Sequence, residues 1–241
     1  MFEGTVLCVQ RSEAIRFAAR HLASLGITVT DKCAPDVAHL LLPVPSFPTG
    51  DTYLAHLLSD LPDTVKISGG NLTSPLLKGY QTVDFLQDPY YLADNAAITA
   101  SCTIDILENR LAGNLSGKRA LIIGWGRIGK CLGPMLKARN IEVSITARKS
   151  MDLAMIHALG YRPLTIEDAA AEIAIFDVIL NTVPVLQLPD ITGKTDSVIL
   201  ELASKPGVTG STVIEARGLP GKMAPAKSGK LIADTFIRLS L

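Results

Sequence analysis

Along this chain, short aliphatic and β-branched runs alternate with stretches whose apolar residues recur every three to four positions. Residues 5–9 read as a buried strand, and 13–25 as an amphipathic helix ended by Gly26. Residues 27–29 and 37–42 predict two more short strands, the second stopped by the proline-rich stretch 43–48. A fourth strand at 65–67 runs into the loop Ser68-Gly69-Gly70-Asn71, and a fifth is expected at 83–86. The helical pattern at 97–111 lies in a segment, 95–113, that reads as a hinge helix, with Gly113 and Gly117 framing the next strand. That strand ends at Ile123 and is followed by a helix at 128–139 and strands at 141–146, 173–180, 197–202 and 213–214. The last stretch, 224–241, predicts a closing helix with Leu231, Ile232, Phe236 and Leu239 along one side.

Strands alternating with helices predict an α/β protein with parallel sheets covered on both faces. Two domains are expected. Residues 1–94 form a smaller, flavodoxin-like N-terminal α/β domain on the substrate side; in 95–241 a G-x-G-x-x-G (Gly124 to Gly129) follows one strand and Arg148-Lys149 the next, which predicts a Rossmann-type NADP-binding domain containing the hinge and closing helices. Gln10-Arg11-Ser12 follows the first strand where a nucleotide site would need a glycine turn, so the first domain is not a second one.

The glycine turn lies in the second domain. Lys118 to Ile123 ends in Gly124-Trp125-Gly126-Arg127-Ile128-Gly129, a G-x-G-x-x-G between strand and helix. The first glycine permits the tight turn, the second lets the backbone approach a pyrophosphate, and the third lets the helix pack close to the strand. Arg127 and Ile128 open that helix, where free N–H groups and the dipole favour an anion. At the end of the next strand, an acidic residue would bind the adenosine ribose of NAD. This chain has Ala147-Arg148-Lys149 instead, which suits the phosphate of NADP, with NAD less favoured. Thr182, Val183 and Pro184 follow a core strand and are expected beside the cofactor ribose.

Composition narrows the setting. The 241 residues carry zero formal net charge, so no nucleic-acid partner is expected. Four scattered cysteines with no C-x-x-C pair point to reduced thiols and no metal site. Glu3 near the start argues against a signal peptide, and no run is long enough for a bilayer, so the expected setting is cytoplasmic. A homo-oligomer is compatible with all of this.

Candidate substrate contacts come from the carboxyl ends of the predicted strands, where open α/β sheets bind ligands. Lys205 and Arg217 are expected to hold substrate carboxylates, with Ser204 and the loop Ser68, Gly69, Gly70, Asn71 contributing hydrogen bonds. As a lone lysine, Lys205 reads equally as an exposed charge, and the loop 217–222 equally as a tight turn that aims the last helix. None of the four histidines follows the third strand of the second domain, so a histidine base of the 2-hydroxy-acid dehydrogenase kind is missing.

Taken together, the hinge 95–103, the glycine strand 117–129, Ala147-Arg148, Asn181-Thr182-Val183-Pro184, Leu202-Ala203-Ser204-Lys205-Pro206-Gly207, Gly218-Leu219-Pro220-Gly221, Ala224-Pro225 and Gly229 resemble one family, the dehydrogenase-like A subunits of dipicolinate synthase. More distantly, the cofactor domain resembles D-2-hydroxyacid dehydrogenases. The first resemblance implies NADP-dependent oxidation of a dihydrodipicolinate-level compound, derived from 4-hydroxy-tetrahydrodipicolinate, to dipicolinate during sporulation. It also implies a partner, the second, flavoprotein-like subunit of dipicolinate synthase. Ser101-Cys102 stands where the family pattern expects Glu-Gly, the segment 207–217 is short, and Lys227 falls one place late in the final helix. Two other readings follow from these departures: a catalytically silent nucleotide-binding regulatory or scaffold protein, and an oxidoreductase of another cyclic dicarboxylate.

Overall fold

The computed structural model describes residues 4–47, 52–191 and 193–241; Glu3 and Pro48 lie outside them. The chain divides into two units, 1–95 with 220–241, and 96–219.

In the first unit, β1 (Thr5–Cys8), α1 (Glu13–Ser24), β2 (Val29–Thr30), β3 (Val37–Leu41), α2 (Thr52–Ser59), β4 (Lys66–Gly69) and β5 (Thr82–Asp84) build a parallel sheet with its covering helices. The strand order is β2-β1-β3-β4-β5, the flavodoxin-like arrangement. The two-residue period of β1 places Val6 and Cys8 in one apolar layer with α1, and Leu7 and Val9 in the other with α2. Ser12 starts α1, its Oγ accepting from the Ile15 N–H at 3.3 Å.

The helix expected to serve as a hinge, α3 (Pro89–Arg110), begins earlier than position 95. Asp88 takes the Tyr91 N–H at 2.7 Å and Pro89 enters the first turn, a start signal outside the apolar periodicity. Two charge-assisted bonds from Arg238, at 3.0 and 2.6 Å, hold Asp88 and keep its carboxyl below the usual range.

The second unit contains β6 (Arg119–Ile123), α4 (Arg127–Lys137), β7 (Glu142–Thr146), α5 (Ser150–Ala158), β8 (Arg162–Leu164), α6 (Ile166–Ala171), β9 (Val178–Asn181), β10 (Val198–Glu201) and β11 (Val213–Glu215). The parallel order β11-β10-β9-β6-β7-β8 is the doubly wound dinucleotide-binding topology, with its reversal between β6 and β9. The strand expected over 173–180 is shorter than that. Ile173 and Phe176, both buried and three apart, turn helically at Ile173–Ile175 before β9 starts at Val178. Strand β8 was hidden by Pro163, which an edge strand tolerates because one side of it needs no ladder bond.

The C-terminal segment departs from the expected domain boundary. The segment 217–222, expected as a tight turn, is mostly helical: only Arg217 and Gly218 turn, before a short helix, α7 (Leu219–Met223), and then α8 (Pro225–Ser240). Helix α8 packs on α1 of the first unit, with Ile232, Ala233 and Phe236 in the same apolar layer as Ile15 and Leu22. Gly229 allows the approach, because a Cβ there would lie 2.4 Å from the Ala14 carbonyl oxygen. Ile232, Ala233 and Phe236 form a buried stripe, but periodicity alone cannot say which sheet a stripe covers.

Candidate nucleotide-binding site

The site forms where the second sheet reverses. Strand β6 ends in Gly124 at φ 104°, a left-handed conformation that leaves its N–H 3.1 Å from Thr146 Oγ1. A Cβ on Gly129 would lie 2.3 Å from the Gly124 carbonyl oxygen, so α4 can lie this close to the turn only with glycine there. Gly126 differs from both. An added Cβ there meets nothing within 4 Å, so this backbone is open to a ligand.

Across the turn, Thr182 donates from its N–H (3.0 Å) and its hydroxyl (2.9 Å) to the Ile123 carbonyl oxygen, drawing the loop after β9 against β6. A groove of about 300 Å³ results, lined by Gly124, Trp125 and Gly126 on one side and Thr182, Val183, Pro184 and Gln187 on the other. Thr146, Arg148, Lys149, Asp152 and Ile166 complete it.

Two helix starts border this groove, and both lack a side-chain cap: Gly126 before α4 and Lys149 before α5. By contrast, α1 is capped by Ser12, and α6 by the reciprocal Thr165–Asp168 box. Leaving first-turn N–H groups free is costly in a soluble protein unless water or an anion serves them. Arg148 and Lys149 are exposed, and among the described residues neither has an ion-pair partner. Among the described residues, Asp152 supplies the one carboxylate lining this groove. An uncapped helix start beside two free cations fits a phosphomonoester, and the uncapped start at open Gly126 fits a pyrophosphate. Arg127 is exposed and Ile128 half-buried in the first turn of α4.

Behind this wall lies a polar centre that sequence reasoning missed. Glu201 and Asn181, each fully buried, face one another from adjacent strands. Asn181 Nδ2 donates to both Glu201 oxygens at 2.8 and 2.9 Å, and its Oδ1 accepts from the Val183 N–H at 3.2 Å. Glu201 also accepts the N–H groups of Ala203, Gly207 and Val208 at 2.9, 2.8 and 3.0 Å. One carboxylate therefore fixes both the loop that carries Thr182 to Pro184 and the loop that carries Ser204 and Lys205. A lone acid inside the apolar run Val-Ile-Leu-Glu-Leu-Ala was the available signal.

The expected substrate residues are placed as follows. Ser204 and Lys205 are exposed on their loop, and no ion pair holds Lys205 among the described residues. Arg217 pairs with Glu215 at 2.9 Å, so its charge is already countered. The Ser68 hydroxyl is fully buried and shares a 2.8 Å hydrogen bond with Ser240 of α8, while Gly69 and Gly70 are buried against Leu42 and Val44. Within that loop only Asn71 is exposed. The loop thus departs from the expected substrate role at Ser68, Gly69 and Gly70, because the C-terminal helix and the strand layer have taken them up. Among the described residues no cluster of His, Cys, Asp and Glu could hold a metal, and no helix is long and apolar enough to cross a membrane.

No protein-family model matches the chain. Among curated proteins, the A subunit of dipicolinate synthase from Bacillus subtilis (strain 168) is 29% identical over 158 residues, covering 60% of this chain and 52% of that protein. The match thus spans about half the length of that relative. The crystal structure of the A subunit of dipicolinate synthase from Bacillus halodurans superposes with a TM-score of 0.79 at 21% identity, covering 98% of each chain. The chain is similar to the A subunits of dipicolinate synthase. The corresponding Bacillus subtilis crystal structure agrees, with a TM-score of 0.77 at 18% identity over 99% of this chain and 96% of that one. The likeness extends more weakly to a Salmonella D-lactate dehydrogenase, with a TM-score of 0.59 at 13% identity over 98% and 95% of the two chains. The chain therefore shares the α/β fold with two parallel sheets that these structures have.

Proposed function

We propose that this chain is an NADP-dependent oxidoreductase of the dipicolinate synthase type, equivalent to the enzyme's A subunit. The observation that carries the reading is the groove at the sheet reversal, with an open glycine turn, two uncapped helix starts and the cations Arg148 and Lys149, which have no ion pair among the described residues. Similarity to dipicolinate synthase supports the substrate class, a cyclic dicarboxylate at the dihydrodipicolinate level, formed from 4-hydroxy-tetrahydrodipicolinate by loss of water. NADP, when bound, would accept a hydride from that ring as a proton leaves, giving dipicolinate. Aromatisation supplies much of the driving force, so the protein's task is to hold and align the ring.

Gly126 and the first turn of α4 would bind the pyrophosphate, Thr182 to Pro184 the ribose side, and Arg148 and Lys149 the additional phosphate. Lys205, exposed and without an ion pair among the described residues on the loop fixed by Glu201, is suited to a substrate carboxylate, with Ser204 beside it. Arg217 could take the same role only by giving up Glu215. A flavoprotein-like partner and a cytoplasmic setting in sporulating cells belong to the same reading.

Trp125 is the single tryptophan of the chain and lines the groove, so its emission reports nucleotide binding directly. NADPH should quench that emission, and NADPH should form from enzymatically generated 4-hydroxy-tetrahydrodipicolinate, with and without the flavoprotein-like partner. Quenching without turnover in either case would favour a silent nucleotide-binding protein.

A further inference from the structure

Helix α5 has apolar residues on both of its sides. Ile156 is buried under it, while Met151, Met155 and Leu159 are 76%, 52% and 49% exposed. These three recur every fourth position, so they form one continuous stripe, inclined to the helix axis. Ser150, Asp152 and His157 are the polar residues of this helix, yet three large apolar side chains face outward on it, and such an exposed apolar stripe signals an interface. The stripe borders a shallow groove of about 610 Å³, walled by Trp125, Pro134 and Tyr161.

We propose that this stripe is one half of a two-fold interface with a second copy of this chain, its α5 antiparallel and the axis passing at Met155. Two features of the surface commit it to that occupant. Apolar residues lie symmetrically about Met155, so antiparallel packing sets Met151 against Leu159 of the second copy, and Leu159 against its Met151. The charges are complementary under the same operation. Asp152 stands at the N-terminal end of the stripe with no ion pair among the described residues. Lys137 stands at the other end, donating to the Leu159 carbonyl oxygen at 3.2 Å and lying 5.3 Å from the Tyr161 ring centre, with no carboxylate of its own among the described residues. The two-fold rotation brings Asp152 of each copy to Lys137 of the other. Lys130, 5.7 Å from the Trp125 ring centre, keeps its charge on that aromatic face.

Sedimentation equilibrium over a concentration series should show a reversible dimer, and Met155→Glu should make the chain monomeric. That side chain is half exposed, so the variant folds, and its circular dichroism should match the wild type. In a Cys33→Ser background, which removes an exposed thiol, Met155→Cys should form a disulfide-linked dimer under mild oxidation. Met151→Cys should not, because two copies of that position would lie about 12 Å apart along antiparallel helices, beyond disulfide reach. Lys137→Asp alone should weaken the dimer, and adding Asp152→Lys should restore it. A wild type that stays monomeric throughout would overturn the proposal. So would a Met155→Glu dimer, or equal cross-linking at 151 and 155.

Discussion

Asn181 donates its side-chain amide to both oxygens of Glu201, at 2.8 and 2.9 Å, in a fully buried contact between neighbouring strands. Every donor to this carboxylate that the structure shows is neutral, three of them backbone N–H groups of the following loop. Removing the carboxylate strands those N–H groups and the Asn181 amide away from water. Glu201→Ala should therefore destabilise the chain by about 3–5 kcal/mol. Glu201→Gln keeps one acceptor oxygen but turns an NH2 toward donors, so it should fall between the two. Urea unfolding followed by circular dichroism gives the order. Equal stability of Glu201→Ala and wild type would mean that the loop is held by other contacts.

The glycine turn separates folding from binding. A Cβ at Gly129 meets a backbone oxygen, whereas one at Gly126 meets nothing. Gly129→Ala should lower the melting temperature clearly. Gly126→Val should leave it nearly unchanged while abolishing the Trp125 response to NADPH, since the side chain fills the space for the pyrophosphate. Tight binding retained by Gly126→Val would place the nucleotide elsewhere.

Acid stability should turn on His39. Burial, with help from Lys66, pushes its pKa down from 6.5 to about 4. The folded chain therefore resists a proton that the unfolded chain takes up. Stability is fully present above about pH 6.5 and declines as the pH falls toward 4. The Asp88 carboxyl, lowered by Arg238, contributes only at still lower pH, because its ordinary value is 3.8. His39→Gln should flatten the decline between pH 7 and 5 in denaturant unfolding, relative to the wild type. An unchanged slope would show that other groups set it.

Much of the fold was legible because the central strands carry their own apolar runs, unlike the edge strand β8 with its Arg-Pro-Leu, and the glycine turn names the strand on which the second sheet reverses. The two-residue period of β1 and the stripe of α1 needed no tertiary information. Helix α5 was missed for a physical reason: with Met151, Met155 and Leu159 outside and Ile156 inside, its apolar residues fall on opposite sides and give no one-sided period. Its absence from the sequence reading also hid Asp152 and the second uncapped helix start. The placement of α8 was illegible because a buried stripe does not name its partner. Ser68 read as a loop hydroxyl for a ligand only because Ser240, far along the chain, could not be seen to meet it.

Cofactor choice should rest on Arg148. It and Lys149 lie at the groove's edge beside an uncapped helix start, with Asp152 as the opposing charge. A phosphomonoester placed there gains charge-assisted hydrogen bonds that NAD cannot make, so NADP should bind the wild type more tightly than NAD. Arg148→Ala should weaken NADP by about 1.5–3 kcal/mol, roughly ten- to a hundred-fold, with little change for NAD. Asp152→Asn should move the other way, since removing a like charge beside the phosphate favours NADP alone. Both follow from calorimetric titration of the three proteins with both nucleotides. The paired variants separate a specific phosphate contact from a general loss of groove structure, because only the former moves NADP in opposite directions while NAD stays put. Equal affinities of the wild type for NAD and NADP would sink the assignment, leaving the two cations as a solvated edge of an NAD site.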